Sequence, residues 1–474
     1  MRKKDGELYR TAKGWRNYLR TVRRRKRLRR RESGHNRFLA LANKREKTER
    51  NARLRPGRNN FSYSKKLSVR PILPQTVRYL LKFPNVFGKN RYSILTDNHL
   101  YIPETFSFID NYRASFEFLK RLLNILHSEK AAQIILDYQK CKRIDVDASI
   151  CMDIILADFI KHYEESTKRG YRVRTHKITP INYEAEDIKK VLFSIGAFKT
   201  IKGISINFPD IEALPVLIGS MNDPNREVKC EIHATQIVEY IKRCLKRLDL
   251  QLTSGTLDSL YKVLGETITN AEEHGTLNFR YAIGFFQDLT DSGEHFGIFN
   301  FSIINFGETI YQKFTDPKCP NQNVVNRMKQ LSSEYTNTGM FSPAEFQEET
   351  LWTLYALQQG VTSMQRRRGS GCIQYIDNFF KLKGDSNKDE ISQMLLVSGN
   401  TRIVFDGTYP IIQNNEGTRK LKMITFNDSG KISDGPNKKY VTFADHYFPG
   451  VLISARILIK SGNTKNQENG QQTI

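Results

Sequence analysis

The chain has 474 residues, 39% of them hydrophobic, enough for two or three domains with a real core, which excludes a wholly disordered protein. Its net charge of +25 is concentrated: residues 1–70 hold 26 Lys+Arg and 5 Asp+Glu, a net of +21, and the remaining 404 residues hold 49 and 45, a net of +4. No apolar run is long enough to span a bilayer and the charged N-terminus lacks an apolar leader core, so neither a transmembrane helix nor a secretory signal is expected, and a cytoplasmic location is.

Residues 1–70 read as a disordered or conditionally helical arm, because like charges at this density repel. Its centre is Arg23, Arg24, Arg25, Lys26, Arg27, Arg29, Arg30 and Arg31. Basic groups that neutralise phosphates, interleaved with Tyr9, Trp15, Tyr18, Phe38, Phe61 and Tyr63 that can stack on bases, point to nucleic acid as partner. A solubilising tail or an adaptor for an acidic protein is the alternative. Residues 71–130 are interrupted by prolines, and Phe106 to His127 has helical spacing of apolar residues.

From about residue 131 the pattern alternates between strand and helix. Strands are expected at Gln133–Tyr138 and Tyr171–His176, and helices at Ser149–Tyr163 and Glu184–Ile195. This stretch resembles a STAS domain, the fold of anti-sigma-factor antagonists. Asp147-Ala148-Ser149-Ile150 stands where that family has Asp-Ser-Ser-Gly, with Ala148 and Ile150 as departures. The resemblance makes Ser149 a candidate phosphorylation site; the residues alone make it a helix cap. Pro209, Pro215 and the turn at Asn222–Asn225 suggest a domain boundary, giving an arm over 1–70, a STAS-like domain over 71–225 and a C-terminal domain over 226–474. The six cysteines, with no CxxC pair or zinc-finger spacing, read as buried reduced thiols.

Helices are expected over Glu231–Leu248 and from Thr256 onward. On the second, Glu266, Asn270 and His274 are four residues apart and form one polar stripe, while Leu257, Leu260, Leu264, Ile268 and Ala271 form an apolar one. A carboxylate can accept a proton from a nucleophile, and an amide oxygen one turn on can hold Mg²⁺. The stretch Glu266-Thr-Ile-Thr-Asn270-Ala-Glu-Glu-His274-Gly275 resembles the N-box of the Bergerat (GHKL) ATPases, in the form found in anti-sigma-factor serine kinases.

The resemblance implies ATP and Mg²⁺ as ligands, Glu266 as general base, Asn270 as metal ligand and His274 near the nucleotide. It also implies two further boxes. Asn305-Phe306-Gly307-Glu308-Thr309, after the strand Phe299–Ile304, takes the place of the adenine-contacting Asp-x-Gly-x-Gly, with Asn305 for Asp and Thr309 for the second Gly. Gly369-Ser370-Gly371, preceded by Arg366, Arg367 and Arg368, takes the place of the glycine-rich phosphate loop before a helix. The long stretch from Tyr311 to Gln365 occupies the place of the family's ATP lid, with a helix expected from Ser342-Pro343-Ala344-Glu345 to Gly360. Strands are expected over Met394–Ser398, Thr401–Phe405, Leu421–Phe426 and Val451–Ile459.

The expected architecture is thus α/β: a STAS-like βαβα domain followed by a Bergerat sandwich, a mixed sheet with helices on one face. The expected function is an ATP-hydrolysing regulatory switch, with serine kinase activity as a variant. The alternative is a non-catalytic ATP-binding scaffold acting through the arm. A protein partner or homodimer fits either reading, and a place in phage defence or stress response follows only from this combination of modules.

Overall fold

In the computed structural model, residues 1–67 and 68–474 are separate units. The residues described are 75–82, 98–127, 133–168, 177–196, 198–199, 203–273, 277, 279–336, 345–363, 371–383, 389–416, 419–461, 467–468 and 471–473. The basic arm, with its Arg23–Arg31 block, lies outside them.

The described elements begin with helix α1 (Gln75–Leu80), strand β1 (His99–Tyr101), β2 (Thr105–Phe106) and α2 (Tyr112–His127). They continue with β3 (Gln133–Asp137), β4 (Arg143–Ile144), α3 (Val146–Lys168), β5 (Lys177–Ile181) and α4 (Glu186–Ser194). Strands β1, β3 and β5 form a parallel sheet in that order, as the expected alternation of strand and helix requires. The third strand is Lys177–Ile181, directly downstream of the expected Tyr171–His176, which lies outside the described residues. Helix α2 starts at Tyr112 because Phe106 pairs in β2 instead.

Next come β6 (Ile211–Ser220), α5 (Arg226–Lys246), β7 (Leu250–Gln251), α6 (Ser254–Glu273), β8 (Phe279–Asp291) and β9 (Glu294–Phe306). Helices α7 (Ile310–Thr315), α8 (Gln322–Thr336), α9 (Glu348–Ala356) and α10 (Gly371–Lys383) follow. The chain ends in β10 (Gln393–Phe405), the ribbon β11 (Ile412–Glu416) and β12 (Arg419–Met423), the long β13 (Val441–Lys460), and short strands β14 (Gln467–Glu468) and β15 (Gln471–Thr473). Met394–Ser398 and Thr401–Phe405 are one strand with a bulge at Gly399–Asn400, where Gly399 takes φ +60°.

The five-stranded sheet runs β10-β13-β9-β8-β6, and every neighbouring pair is antiparallel. This corrects the expected mixed sheet. The sheet is also covered on both faces, not one. Side chains alternate along each strand. On β9 and β13, Phe301, Ile303, Ala455 and Ile457 pack with α5, α6 and α10, whereas Ile304, Phe306 and Leu452 pack into the core of the N-terminal half, built on α2 and α3. That second core runs without a break from Val77 to Leu452. The expected boundary near residue 225 is therefore not a gap between two cores. Strand β6, from the N-terminal side of it, is an edge of the C-terminal sheet, and residues 68–474 form one compact unit.

Polar groups cross the same junction. Arg456 on β13 pairs with Asp110 (2.5 Å) and Asp145 (3.0 Å), and Arg402 on β10 donates to the Ile109 carbonyl at 2.7 Å. Nearby, Asp147 accepts the backbone N–H groups of Phe108 and Ile109 (3.1 Å each), which rigidifies the turn before α2.

Helices α7, α8 and α9 carry a small core of their own. It contains Phe314, Met328, Trp352 and Tyr355, and the Trp352 indole N–H donates to the Ser332 hydroxyl at 3.1 Å. The expected helix start at Ser342 is corrected: Gln347 is the N-cap of α9, Glu345 precedes the helix, and Ser342, Pro343 and Ala344 lie outside the described residues. Glu349 ties this cap to the sheet by accepting the Asn400 backbone N–H at 3.0 Å, over the β10 bulge.

Candidate functional site

Helix α6 forms where its apolar stripe predicts. Leu260, Leu264 and Ile268 are buried against the sheet, each worth roughly 1.5–3 kcal/mol of burial. The adjacent stripe then faces a cavity of about 470 Å³ between α6, the sheet, α10 and the α7–α9 cap. Glu266 and Asn270 both line it, one turn apart, as the sequence reading requires. The third group on this wall is Glu273. His274 lies outside the described residues.

The lining is mixed: Ile303, Met394, Leu396, Val451 and Ile453 from the sheet, with Tyr375 and Ile376 from α10, are apolar, and Glu266, Asn270, Glu273, Glu308, Thr309 and Lys313 are polar. Lys313 is the only cationic side chain lining the cavity among the described residues, and Glu308 lies 3.8 Å from it. Burial pulls the Lys313 ammonium below its usual pKa, against the pull of the Glu308 carboxylate. Cys372, in the first turn of α10, is pushed up to about 11 by burial and the charge of Glu266, so its thiol stays protonated.

Asn305 lies on the wall, but its amide is committed to the fold. It is 1% exposed; its Nδ2 donates to the Ala271 carbonyl at 2.8 Å, and its Oδ1 accepts the Val451 N–H at 3.0 Å. The carbonyl of Ala271 falls in the last turn of α6, where no intrahelical donor exists. Asn305 thus caps α6 and pins it to β13. An Asp here would lack the donor, which gives the departure from the acidic motif a structural reason. Gly307 donates its N–H to the Pro449 carbonyl at 3.0 Å and accepts the Tyr79 hydroxyl from α1 at 2.9 Å. Thr309 is the N-cap of α7, in a reciprocal capping box with Gln312. It occupies the second-glycine position because a helix starts there.

Gly371 is the first residue of α10, as expected for the end of the glycine-rich segment. Gly369 and Ser370, with Arg366, Arg367 and Arg368, lie outside the described residues; Ser363 and Cys372, which flank that stretch, both line the cavity. Ser149 is placed otherwise than expected. It is 0% exposed, its N–H donates to the carbonyl of Asp145, the residue before α3, and its hydroxyl donates to Asp153 at 3.4 Å. It neither caps the helix nor presents a hydroxyl to a kinase. Burial pushes the Asp153 carboxyl up to about 8.

Joined to Glu273 is a charge network that sequence reasoning missed. Glu272, 1% exposed, sits 3.0 Å from Arg226 Nε and 2.9 Å from Arg280 Nε, and Arg226 also reaches Glu273 at 3.2 Å. Arg280, 0% exposed, donates to His233 Nδ1 at 2.7 Å. Burial and the Arg280 guanidinium push His233 down to about 4, so its ring is the neutral acceptor. A Cβ at Gly219 would collide with the Glu272 carboxylate, so that position must be bare. The only signal was Glu272 itself, a carboxylate one residue past apolar-stripe Ala271.

Among the described residues no cluster of His, Cys, Asp and Glu is arranged to hold a metal ion by itself, and no helix is long and apolar enough to cross a membrane. No family model, curated protein or solved structure matches the chain.

Proposed function

We propose that the cavity binds Mg²⁺-ATP and that the chain is an ATP-hydrolysing regulatory protein of the Bergerat type. The observation that carries this reading is the placement of Glu266 and Asn270, one turn apart, in a cavity whose lining also includes the apolar side chains of the sheet. A planar base suits the apolar part, which excludes water without demanding polar partners. Lys313 offers a point charge for the phosphate oxygens.

Asn270 supplies the amide oxygen that would hold Mg²⁺, as a hard cation requires. Such a metal would supply charge neutralisation for the phosphates. Glu266 orients a water and takes its proton as the water oxygen attacks the terminal phosphorus and the bond to the departing ADP oxygen breaks. The α7–α9 cap roofs the site and limits access of bulk water. It has a small core of its own.

Two observations shape the regulatory part. The N-terminal half packs on the back of the sheet whose front carries the cavity, so a STAS-like layer reads the site across the strands. Ser149 is buried there, so transfer of phosphate to it is not part of the proposal. The arm, with +21 of the +25 net charge, is proposed to engage nucleic acid. A non-catalytic ATP-binding scaffold is the second reading. It is favoured by one observation, the commitment of Asn305 to the fold.

The two readings separate in one experiment: purified protein with Mg²⁺-ATP, with and without DNA or RNA, assayed for ADP release. Hydrolysis that Glu266→Gln abolishes while ATP binding persists supports the first. Hydrolysis unchanged in that variant sinks the assigned base. Thermal stabilisation by ATP with no ADP release selects the scaffold.

A further inference from the structure

A hydrogen bond joins the N-terminal half to the root of the cavity. Tyr79, 7% exposed, stands on α1, and its hydroxyl donates to the carbonyl of the buried Gly307 at 2.9 Å. Gly307 directly follows β9, and the short strap Glu308–Thr309 leads from it into α7. Glu308, Thr309, Ile310, Lys313 and Phe314 all line the cavity. The strap therefore sets where these residues stand in the wall, Lys313 among them. From the sheet it is tied by the Gly307 N–H to the Pro449 carbonyl and by the Ile310 N–H to the Ser398 hydroxyl at 2.8 Å. Tyr79 ties it to the other half of the molecule.

Helix α1 is itself anchored. Val77 and Leu80 are buried in the core of the N-terminal half, and the Thr76 N–H donates to Asp158 of α3 at 2.9 Å. We infer that Tyr79 is a positioning residue for the nucleotide site, one that holds the strap so that Lys313 and its neighbours stand in the cavity wall before a ligand arrives. This rests on the nucleotide reading above. A buried carbonyl left without its donor is unfavourable, so without the hydroxyl the strap shifts to arrangements in which Gly307 finds another partner. A site whose competent arrangement is only partly populated binds its ligand more weakly by that fraction. The cavity of the C-terminal half is thus completed by a side chain 228 positions upstream of the strap.

The test is equilibrium binding of Mg²⁺-ATP to the full chain and to its variants, each held well below its own melting temperature. Tyr79→Phe keeps the ring and removes the donor, and is expected to weaken ATP roughly tenfold. Asp158→Ala loosens the start of α1 without touching the strap; it is expected to weaken ATP in the same direction by less, and it carries the test if Tyr79→Phe does not fold. Lys313→Met removes the charge that the strap places. Adding either substitution to Lys313→Met is expected to cost less than about twofold more, because residues that act through one another are not additive. Variants that lose stability while ATP affinity stays at the parental value, or losses that multiply in full with Lys313→Met, overturn the inference while the unaltered chain still binds ATP. Failure of the unaltered chain to bind ATP at all overturns the nucleotide reading and this inference together.

Discussion

Replacing Asn305 with Asp installs the residue that the Bergerat motif would carry, and the structure predicts that it harms the protein. The amide donates to the Ala271 carbonyl and accepts from the Val451 N–H, at 1% exposure. An ionised carboxylate keeps the acceptor and loses the donor, which leaves the last turn of α6 with an unsatisfied carbonyl facing a buried charge. An unmet buried partner costs about 1–3 kcal/mol, and the charge adds to that. The introduced carboxyl therefore has a folded pKa raised above its unfolded value near 3.9. Protonated, it donates to Ala271 much as the amide does. Its stability contribution is fully present below the unfolded pKa and is lost as pH rises through the folded one, at about 1.4 kcal/mol per unit of separation. Denaturant unfolding of Asn305→Asp and the parent across pH 4 to 8 is the assay. Near-parental stability at the acid end and a deficit of about 3 kcal/mol by pH 8 are expected. A variant as stable as the parent at pH 8, or a deficit that does not change with pH, refutes the capping role.

Other expectations follow from single contacts. The Asp153 carboxyl, raised by burial to about 8, contributes stability that is present below about pH 4 and lost as pH approaches 8, so Asp153→Asn should match the parent in acid and exceed it near pH 8. Midpoints of denaturation against pH check this, and the opposite trend counts against it. Trp352→Ala removes the largest side chain of the cap core and should cost about 3–5 kcal/mol there. Limited proteolysis should then cut within residues 310–363 first; uniform cutting of the chain would show that the cap does not open alone. Deletion of residues 1–70 removes 26 basic groups, and anisotropy titrations with DNA between about 50 and 200 mM salt should lose their steep salt dependence.

The α6 helix was legible in sequence because its burial follows from local spacing. Stripes at helical intervals fix which face meets the sheet, and Glu266 and Asn270 reach the cavity as a consequence. Strand β10 was read as two because Gly399 and Asn400 interrupt the alternation, whereas the backbone absorbs them as a bulge. Strand β6 fell in the expected domain boundary: Pro215 suggests a break, but an edge strand has one side without a ladder and tolerates a missing N–H. Asn305 looked like a decayed acid, because a motif shows residue types and not the carbonyl across the gap. The Arg226–Glu272–Arg280 network was invisible for a related reason. Charges on a helix normally read as solvated surface, and only the fold brings strand β8 and the start of α5 onto Glu272.

The double-sided sheet has a practical consequence for anyone dissecting the protein. A fragment beginning at residue 226, the natural cut by sequence, would lack β6 and leave one whole ladder of β8 open to pairing with other chains. It would also strip the cover from Ile304, Phe306, Val397 and Leu452, a contiguous apolar face that a separate nucleotide-binding domain would have to hide. Such a fragment is expected to aggregate, and its inactivity would say nothing about Glu266. Mutations at the cavity are best read in the intact chain, where front and back of the sheet stabilise each other.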